Sequence, residues 1–386
     1  MVAAASLGDV AEFVNGAAFK PEDWGSDGLP IIRIQNLTDP TKAFNRTLRT
    51  VPDRLRVRAG DLLVSWSATL GVFEWAGPGD GLLNQHIFRV LPDKSKIDKR
   101  YLRHGLERAI TDMQMHLHGA TMQHVNRGEF LGTQLYLPSI SEQRRIAEVL
   151  DRAETLRAQR RQALAQLDAL AESIFESLSG NSRGSVKTIG ELLSSGALLV
   201  HKDGNHGSLY PRADDFVQVG VPFISARAIR DDGRINDRLI EHLHPDKAAK
   251  LRLGWIIEGD VLLSHNASVG KVACYDGRFK SALIGTSLTA FRPNPQVLTS
   301  AYLTAALRSS RFQRSLEKNM GQTTRNQVPI TAQRDLQLSL PPLEVQRKFA
   351  NQIEAVERAK ALQHASLASL DALFASLQHR AFRGEL

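Results

Sequence analysis

Serine recurs in one setting in this chain. VRAGDLLVSWSATLG (57–71) and IIEGDVLLSHNASVG (256–270) share the skeleton G-D-[LV]-L-[VL]-S-x-x-A-[ST]-[LV]-G. Neither Ser65 nor Ser264 lies in the G-x-S-x-G elbow that exposes a nucleophile, so each reads as a hydroxyl satisfying a turn. His116-x-His118 and His242-x-His244 are pairs without a third ligand at metal spacing, and helical residues two apart do not face each other. No G-x-x-x-x-G-K-[ST] loop is present to cradle a nucleotide phosphate. NPQV (294–297) lacks the second proline and the aromatic of the N-P-P-[YFW] loop that holds a target amino group. Pro-Asp pairs at 52–53, 92–93 and 245–246 are not followed by the Asp/Glu-x-Lys of a metal-dependent nuclease. These residues assemble no active site, so the chemistry expected is binding.

Composition narrows the partner. The formal net charge is +8 with a pI near 9.7, and a basic balance is one footprint of nucleic-acid binding. The excess sits in residues 181–340, with 21 Lys/Arg against 14 Asp/Glu. A single cysteine, Cys274, excludes a disulfide framework and argues against a cysteine zinc site. MVAAASLGDVAEFV lacks the basic start and apolar run of a signal peptide. No run approaches the ~18 apolar residues of a membrane span. The expectation is a cytoplasmic chain that binds no membrane.

The serine block is one of several that occur twice. IIRIQNL (31–37) answers to FISARAI (223–229), YLRHGL (101–106) to YLTAAL (302–307), and GATMQ (119–123) to GQTTR (321–325). LPSISEQRRIAEVL (137–150) answers to LPPLEVQRKFANQI (340–353). The order is the same and the offset drifts slowly, so the chain is a tandem duplication. Each copy holds a mixed domain followed by a long helix. LPIIRIQNL, GDLLVSW and HIFRVL read as strands and residues 101–118 as a helix. Ile146, Val149, Ala153, Leu156, Ala163, Leu167, Leu170 and Ile174 form a heptad-like stripe, entered by a Ser139/Glu142 capping box. Phe349, Ile353, Val356, Leu367, Leu370, Leu373 and Leu377 repeat the stripe, with Arg160 and Gln363 at matching polar positions. SGNSRGS (179–185) is the linker. Its roughly eight residues reach at most about 29 Å, against about 57 Å for a 38-residue helix, so the two helices are expected to run antiparallel.

In this order the blocks resemble the specificity subunit of type I restriction–modification systems. The resemblance also rests on NQHIFRV (84–90) and the ending HRAFRGEL. It implies an α+β chain with two tandem target-recognition domains, 1–138 and 181–340. Two spacer helices, 139–180 and 341–386, would pack as an antiparallel coiled coil with pseudo-twofold symmetry. It implies a non-catalytic subunit that reads a bipartite, asymmetric target in double-stranded DNA. Its partners would be two adenine methyltransferase subunits and a restriction/translocase subunit. S-adenosylmethionine and ATP would reside on those partners, and no cofactor on this chain. In the second half IGTSLTAFRP (284–293) replaces NQHIFRV, so the resemblance assigns no shared base-reading role to Asn84, Gln85 and His86.

Residues common to both halves are expected to hold the fold, and readers to lie where the halves differ. Base reading needs Arg or Lys toward guanine, Asn or Gln toward adenine, and cations on phosphates. The first-domain candidates are Arg33, Gln35, Asn36, Trp66, Gln123, His124, Asn126 and Arg127. The second-domain candidates are Arg227, Arg230, His265, Asn266, Lys271, Arg278, Lys280, Arg325, Asn326 and Gln327. No metal-binding residue is expected.

Overall fold

A computed structural model describes residues 4–39, 41–77, 79–116, 127–180, 184–207, 210–320 and 326–386. The GATMQ and GQTTR blocks, His118, Gln123, His124, Asn126, Arg325 and linker positions 181–183 lie outside the described residues. Two compact units form: Met1–Arg161 with Ala365–Leu386, and Gln162–His364. Both long helices therefore contribute one stretch to each unit.

The first unit centres on an antiparallel sheet with the order Ala11–Asn15, Ile87–Pro92, Leu62–Ser65, Gly71–Glu74. A second sheet runs Arg46–Thr47, Leu29–Ile32, Gly81–Leu83, Arg56–Val57, and there Ile31 and Ile32 pair parallel with Leu82 and Leu83. Helix Lys99–His116 covers the first sheet, burying Tyr101, Leu102 and Leu106 against Leu62, Phe88 and Val90. In the second unit the sheet Leu198–Asp203, Leu288–Pro293, Val261–Ser264, Val272–Cys274 repeats the first. Its registers match: Leu62 pairs with Val90, and Val261 with Phe291. Val221–Ile224 and Ala282–Ile284 again pair parallel, and helix Ser300–Arg308 takes the place of Lys99–His116.

The shared G-D…S…A skeleton builds the turns of these sheets. Gly60 and Gly259 take φ of 83° and 85°, the left-handed region glycine tolerates. Asp61 and Asp260 accept the N–H three residues back, from Arg58 at 2.7 Å and Ile257 at 2.9 Å. Each also pairs with an arginine on the neighbouring strand, Arg89 or Arg292. Ser65 Oγ donates to Thr69 O and Ser264 Oγ to Ser268 O, as expected for turn hydroxyls.

The repeated QR phrase has an equally physical cause. The buried Gln143 amide donates to Lys96 O at 3.0 Å and Pro138 O at 2.9 Å, and accepts from Asp98 N at 2.8 Å. Gln346 does the same with Val297 O, Pro341 O and Thr299 N, at 2.9, 2.9 and 2.8 Å. Each glutamine clamps the start of a long helix to the segment leaving its sheet. Gln346→Leu orphans a buried donor and carbonyls, and should cost about 3 kcal/mol in denaturant titration.

Several expectations are corrected. The strand expected over LPIIRIQNL stops at Ile32, because Asn36 Oδ1 accepts the Arg33 N–H and starts the short helix Ile34–Thr38. The long helices are Ile140–Gly180 and Leu343–Ala381. Only half of the Ser139 cap forms: Ser139 Oγ accepts Glu142 N at 3.4 Å, while the Glu142 carboxylate holds Arg145. Leu156, Leu170 and Leu373 of the expected stripes are exposed. Leu150, Leu164, Phe175 and Phe374 are buried, so the inward face is turned by one residue at those places.

In the first unit Arg157 Nε lies 2.6 Å from Asp371 Oδ1, with its guanidinium 4.4 Å from the Phe374 ring. In the second, Lys360 Nζ lies 2.8 Å from Asp168 Oδ1, and Phe175 meets Phe349 at 5.8 Å. Arg157 and Lys360 are 203 residues apart, as are Asp168 and Asp371, so one inter-helix ion pair occurs twice.

Candidate nucleic-acid interface

In the first unit the parallel strands Leu29–Ile32 and Gly81–Leu83 end side by side, with Asn84 N donating to Ile32 O at 3.2 Å. Arg33 leaves one strand and Asn84-Gln85-His86 leave the other. The Arg33 guanidinium sits 5.1 Å from the ring of Trp24, a half-exposed aromatic not among the sequence candidates. Its only signal is a tryptophan in the turn-rich PEDWGSDG. Gln35 is exposed on the short helix. Asn36 is buried and its amide is spent on Arg33 N, Lys42 O and Ala43 O. It shapes the loop that presents Arg33 and Gln35, and in this conformation offers no edge to a base. His86 takes a φ of 71°, and its ring lies 5.0 Å from Trp66. Trp66 stacks on Phe88 at 5.7 Å, and the exposed Arg127 sits 5.6 Å from the same Phe88 ring. Arg127 and Trp66 thus meet at one phenyl ring, and His86 lies against the indole. Asn84 Oδ1 is buried with no hydrogen-bond partner among the described residues.

In the second unit a short backbone ladder ties residues 265–267 to 326–328. Val328 N donates to His265 O at 2.9 Å and Ala267 N to Asn326 O at 3.0 Å. Asn266 faces Gln327 across an isolated bridge. This brings Asn266, Asn326 and Gln327 together. His265 is 2% exposed and belongs to a buried network. Its Nδ1 is 2.9 Å from Thr289 Oγ1, which accepts from Gln333 Nε2 at 3.0 Å, while Gln333 Oε1 is 3.1 Å from His201 Nε2. Burial pushes both histidines below their usual pKa. His265 therefore carries the ladder from beneath and has no surface to offer a base.

The basic candidates divide. Arg278 is held by Asp276 and Asp237, and Lys271 by Asp231 at 2.9 Å and Ile229 O at 3.2 Å. Arg230 pairs with Asp232 at 3.1 Å and Arg227 only loosely with Glu241 at 3.6 Å. Lys280 is exposed and makes no ion pair among the described residues. Arg227 and Lys280 are the cations most open to a phosphate.

The four positions of the second unit's network hold aromatic rings in the first. Phe13 pairs across to Val90 as His201 does to Phe291, and Trp66 N meets His86 O as His265 N meets Ser287 O. Phe88 answers to Thr289 and Phe130 to Gln333. One scaffold thus carries two chemically different supports under these loops.

His104, Asp151 and Glu154 bring ligand atoms within 4.8 Å of one another. The Arg103 guanidinium already bonds Asp151 and Glu154, each at 2.8 Å, and so supplies the cation that the cluster needs. Among the described residues no helix is long and apolar enough to cross a membrane.

The family model for the type I restriction modification DNA specificity domain matches residues 2–167 and again 211–372. The chain belongs to the type I restriction–modification DNA specificity family. The specificity subunit of the Escherichia coli type I restriction enzyme EcoBI is 22% identical over 99% of this chain and 85% of its own. A putative type I specificity subunit, MjaX of Methanocaldococcus jannaschii, is 34% identical over 34% of this chain and 32% of its own. The fold is that of the type I S subunit from M. genitalium: TM-score 0.53, 14% identity, covering 98% of this chain and 96% of that one. A chain from a study of type I R-M complex assembly and conformational transition gives 0.52 at 20% identity, covering 100% and 98%. As a specificity subunit, this chain is a DNA-recognition component and not the catalyst.

Proposed function

We propose that each unit reads one half of a split, asymmetric target in double-stranded DNA. The observation that carries this is the duplication itself: two sheets in matching register hold different side chains at their reading ends. Identical readers would recognise a symmetric site. Arg33, Gln35 and Arg127 face one half-site, and Arg227, Asn266, Asn326 and Gln327 the other. Gln123, His124, Asn126 and Arg325 complete the two sets. Lys280 contacts the backbone.

The long helices are the spacer, packed as an antiparallel coiled coil. The twofold ion pair supports that direction, since Asp168 meets Lys360 while Phe175, later in its helix, meets Phe349, earlier in the other. Two adenine methyltransferase subunits carrying S-adenosylmethionine dock on the chain, and an ATP-driven restriction subunit joins them. All act in the cytoplasm.

A methylation map of the host genome by long-read sequencing, with the gene intact and deleted, tests the reading. One split adenine motif should lose methylation on deletion; an unchanged map would sink the proposal. At the level of contacts, Arg127→Ala should weaken binding of the methyltransferase complex to its target. A lost phosphate contact lowers the salt slope of log K by about one, whereas a lost base contact leaves the slope alone and relaxes one position.

A further inference from the structure

The helix covering each sheet meets its long helix through different residues in the two units. In the first, YLRHGL sets Arg103 2.8 Å from each of Glu107, Asp151 and Glu154, and His104 2.8 Å from Asp151. The His104 ring lies 6.2 Å from that of Phe374, which also carries Arg157. That space is filled by one ring, two guanidinium groups and an imidazole. In the second unit YLTAAL puts Thr304 and Ala305 at the places of Arg103 and His104. Ala171 stands where the first unit has Phe374, since 171 and 374 share the 203-residue offset of the ion pair. A cavity of about 660 Å³ results, walled by Ala171, Phe175, Ala305, Phe349 and Ile353. That volume suits a buried ligand group.

Glu357 keeps the place of Glu154 and Asp168 that of Asp371, while Thr304 and Ala305 have replaced the cations Arg103 and His104. Asp168, Glu172, Asp232 and Glu357 line the cavity. Lys360, the one buried cation on the lining, is already bonded to Asp168 at 2.8 Å and Glu357 at 2.9 Å. Arg234 and Arg308 are exposed on the same lining. The first unit thus records what fills this volume when the chain supplies it: a phenyl ring beside basic groups.

We propose that the cavity of the second unit receives an aromatic side chain with a neighbouring basic residue from a partner polypeptide, one of the methyltransferase subunits. The partner's identity rests on the proposed function; the socket rests on the comparison of the two repeats. The first unit fills its own socket, so the two repeats hold their partners unequally.

Cys274, the only cysteine of the chain, is exposed and on the lining, and so reports occupancy. The full chain is alkylated with N-ethylmaleimide, alone and with the purified methyltransferase subunit, and the Cys274 peptide is followed by mass spectrometry. With the partner at about ten times its Kd, alkylation should slow about tenfold, because only the unoccupied fraction reacts. A second arm uses Ala171→Phe, which installs the residue of the first repeat. This variant should melt no lower than the wild type and lose the tighter of its two methyltransferase sites, so that both copies bind with the weaker affinity. An unchanged alkylation rate in a complex that does form overturns the socket alone, as does an A171F chain that keeps the wild type's tighter site. A wild-type chain that captures no methyltransferase overturns both the socket and the reading it rests on. Should A171F not fold, the wild-type protection still decides.

Discussion

Asp260→Ala is expected to destabilise the second unit by about 3–5 kcal/mol, the cost of stripping one partner from a buried ion pair. Asp260 is fully buried. It grips Arg292 through two parallel contacts of 2.7 Å and accepts Ile257 N–H at 2.9 Å. Removing it leaves a largely buried guanidinium without a counter-charge and opens the turn at Gly259. A loss of that size is a large fraction of the ~5–15 kcal/mol that holds a typical domain. Hydrogen exchange locates the damage. Amides of Val261–Ser264 and Leu288–Pro293 should lose protection, while Leu62–Ser65 and Ile87–Pro92 keep theirs. Equal loss in both sheets would mean that the Gly-Asp turn is not a local device. Asp260→Asn keeps an acceptor oxygen and should cost less.

That aspartate is legible in the sequence alone, since it lies in the most similar block of the duplication. The blocks found by self-comparison become turns, clamps and helix starts: Gly60 and Gly259, Asp61 and Asp260, Gln143 and Gln346. Spacing locates both long helices but misplaces Leu156, Leu170 and Leu373, because a single-helix pattern cannot say where a partner helix lies. Leu150, Leu164 and Phe374 share the apolar character of the residues they displace. The reading residues are harder. Asn36 and His265 have side chains suited to bases, yet the fold consumes both, and only three-dimensional hydrogen bonding reveals it. Trp24 has no sequence signature of its own, because its role appears only when Arg33 folds over it. The exchange of Arg103-His104 for Thr304-Ala305 is visible in the aligned blocks. That it leaves a cavity depends on Ala171, more than 130 residues away in the sequence.

The second unit should also be the acid-sensitive one. His201, His265, Thr289 and Gln333 are each at most 5% exposed, and burial favours the neutral form of both imidazoles. Burial depresses both histidines; at His201 the Gln333 hydrogen bond opposes it and Arg334 adds to it, at His265 His206 adds to it, and Asp203 opposes it at both. Above the unfolded value of about 6.5, both states are neutral and stability is complete. As pH falls below that value, the unfolded chain takes up protons that the folded chain refuses. Stability then drops by up to roughly 1.4 kcal/mol per pH unit for each histidine, until the folded pKa is reached. The loss reaches the interface, because His265 O receives the Val328 N–H that holds Asn326 and Gln327 in place. Between pH 7.5 and 5.5, exchange at residues 261–267 and 326–328 should rise well beyond its intrinsic pH dependence, with no such rise around Trp66. Replacing the network by the first unit's residues, His201→Phe with His265→Trp, Thr289→Phe and Gln333→Phe, should flatten the response. Four rings at those positions carry no proton to gain, and the first unit already folds around that arrangement. If the wild-type second unit stays equally protected at pH 5.5, the histidines are accommodating a proton within the core, and the network is not what holds the reading loop.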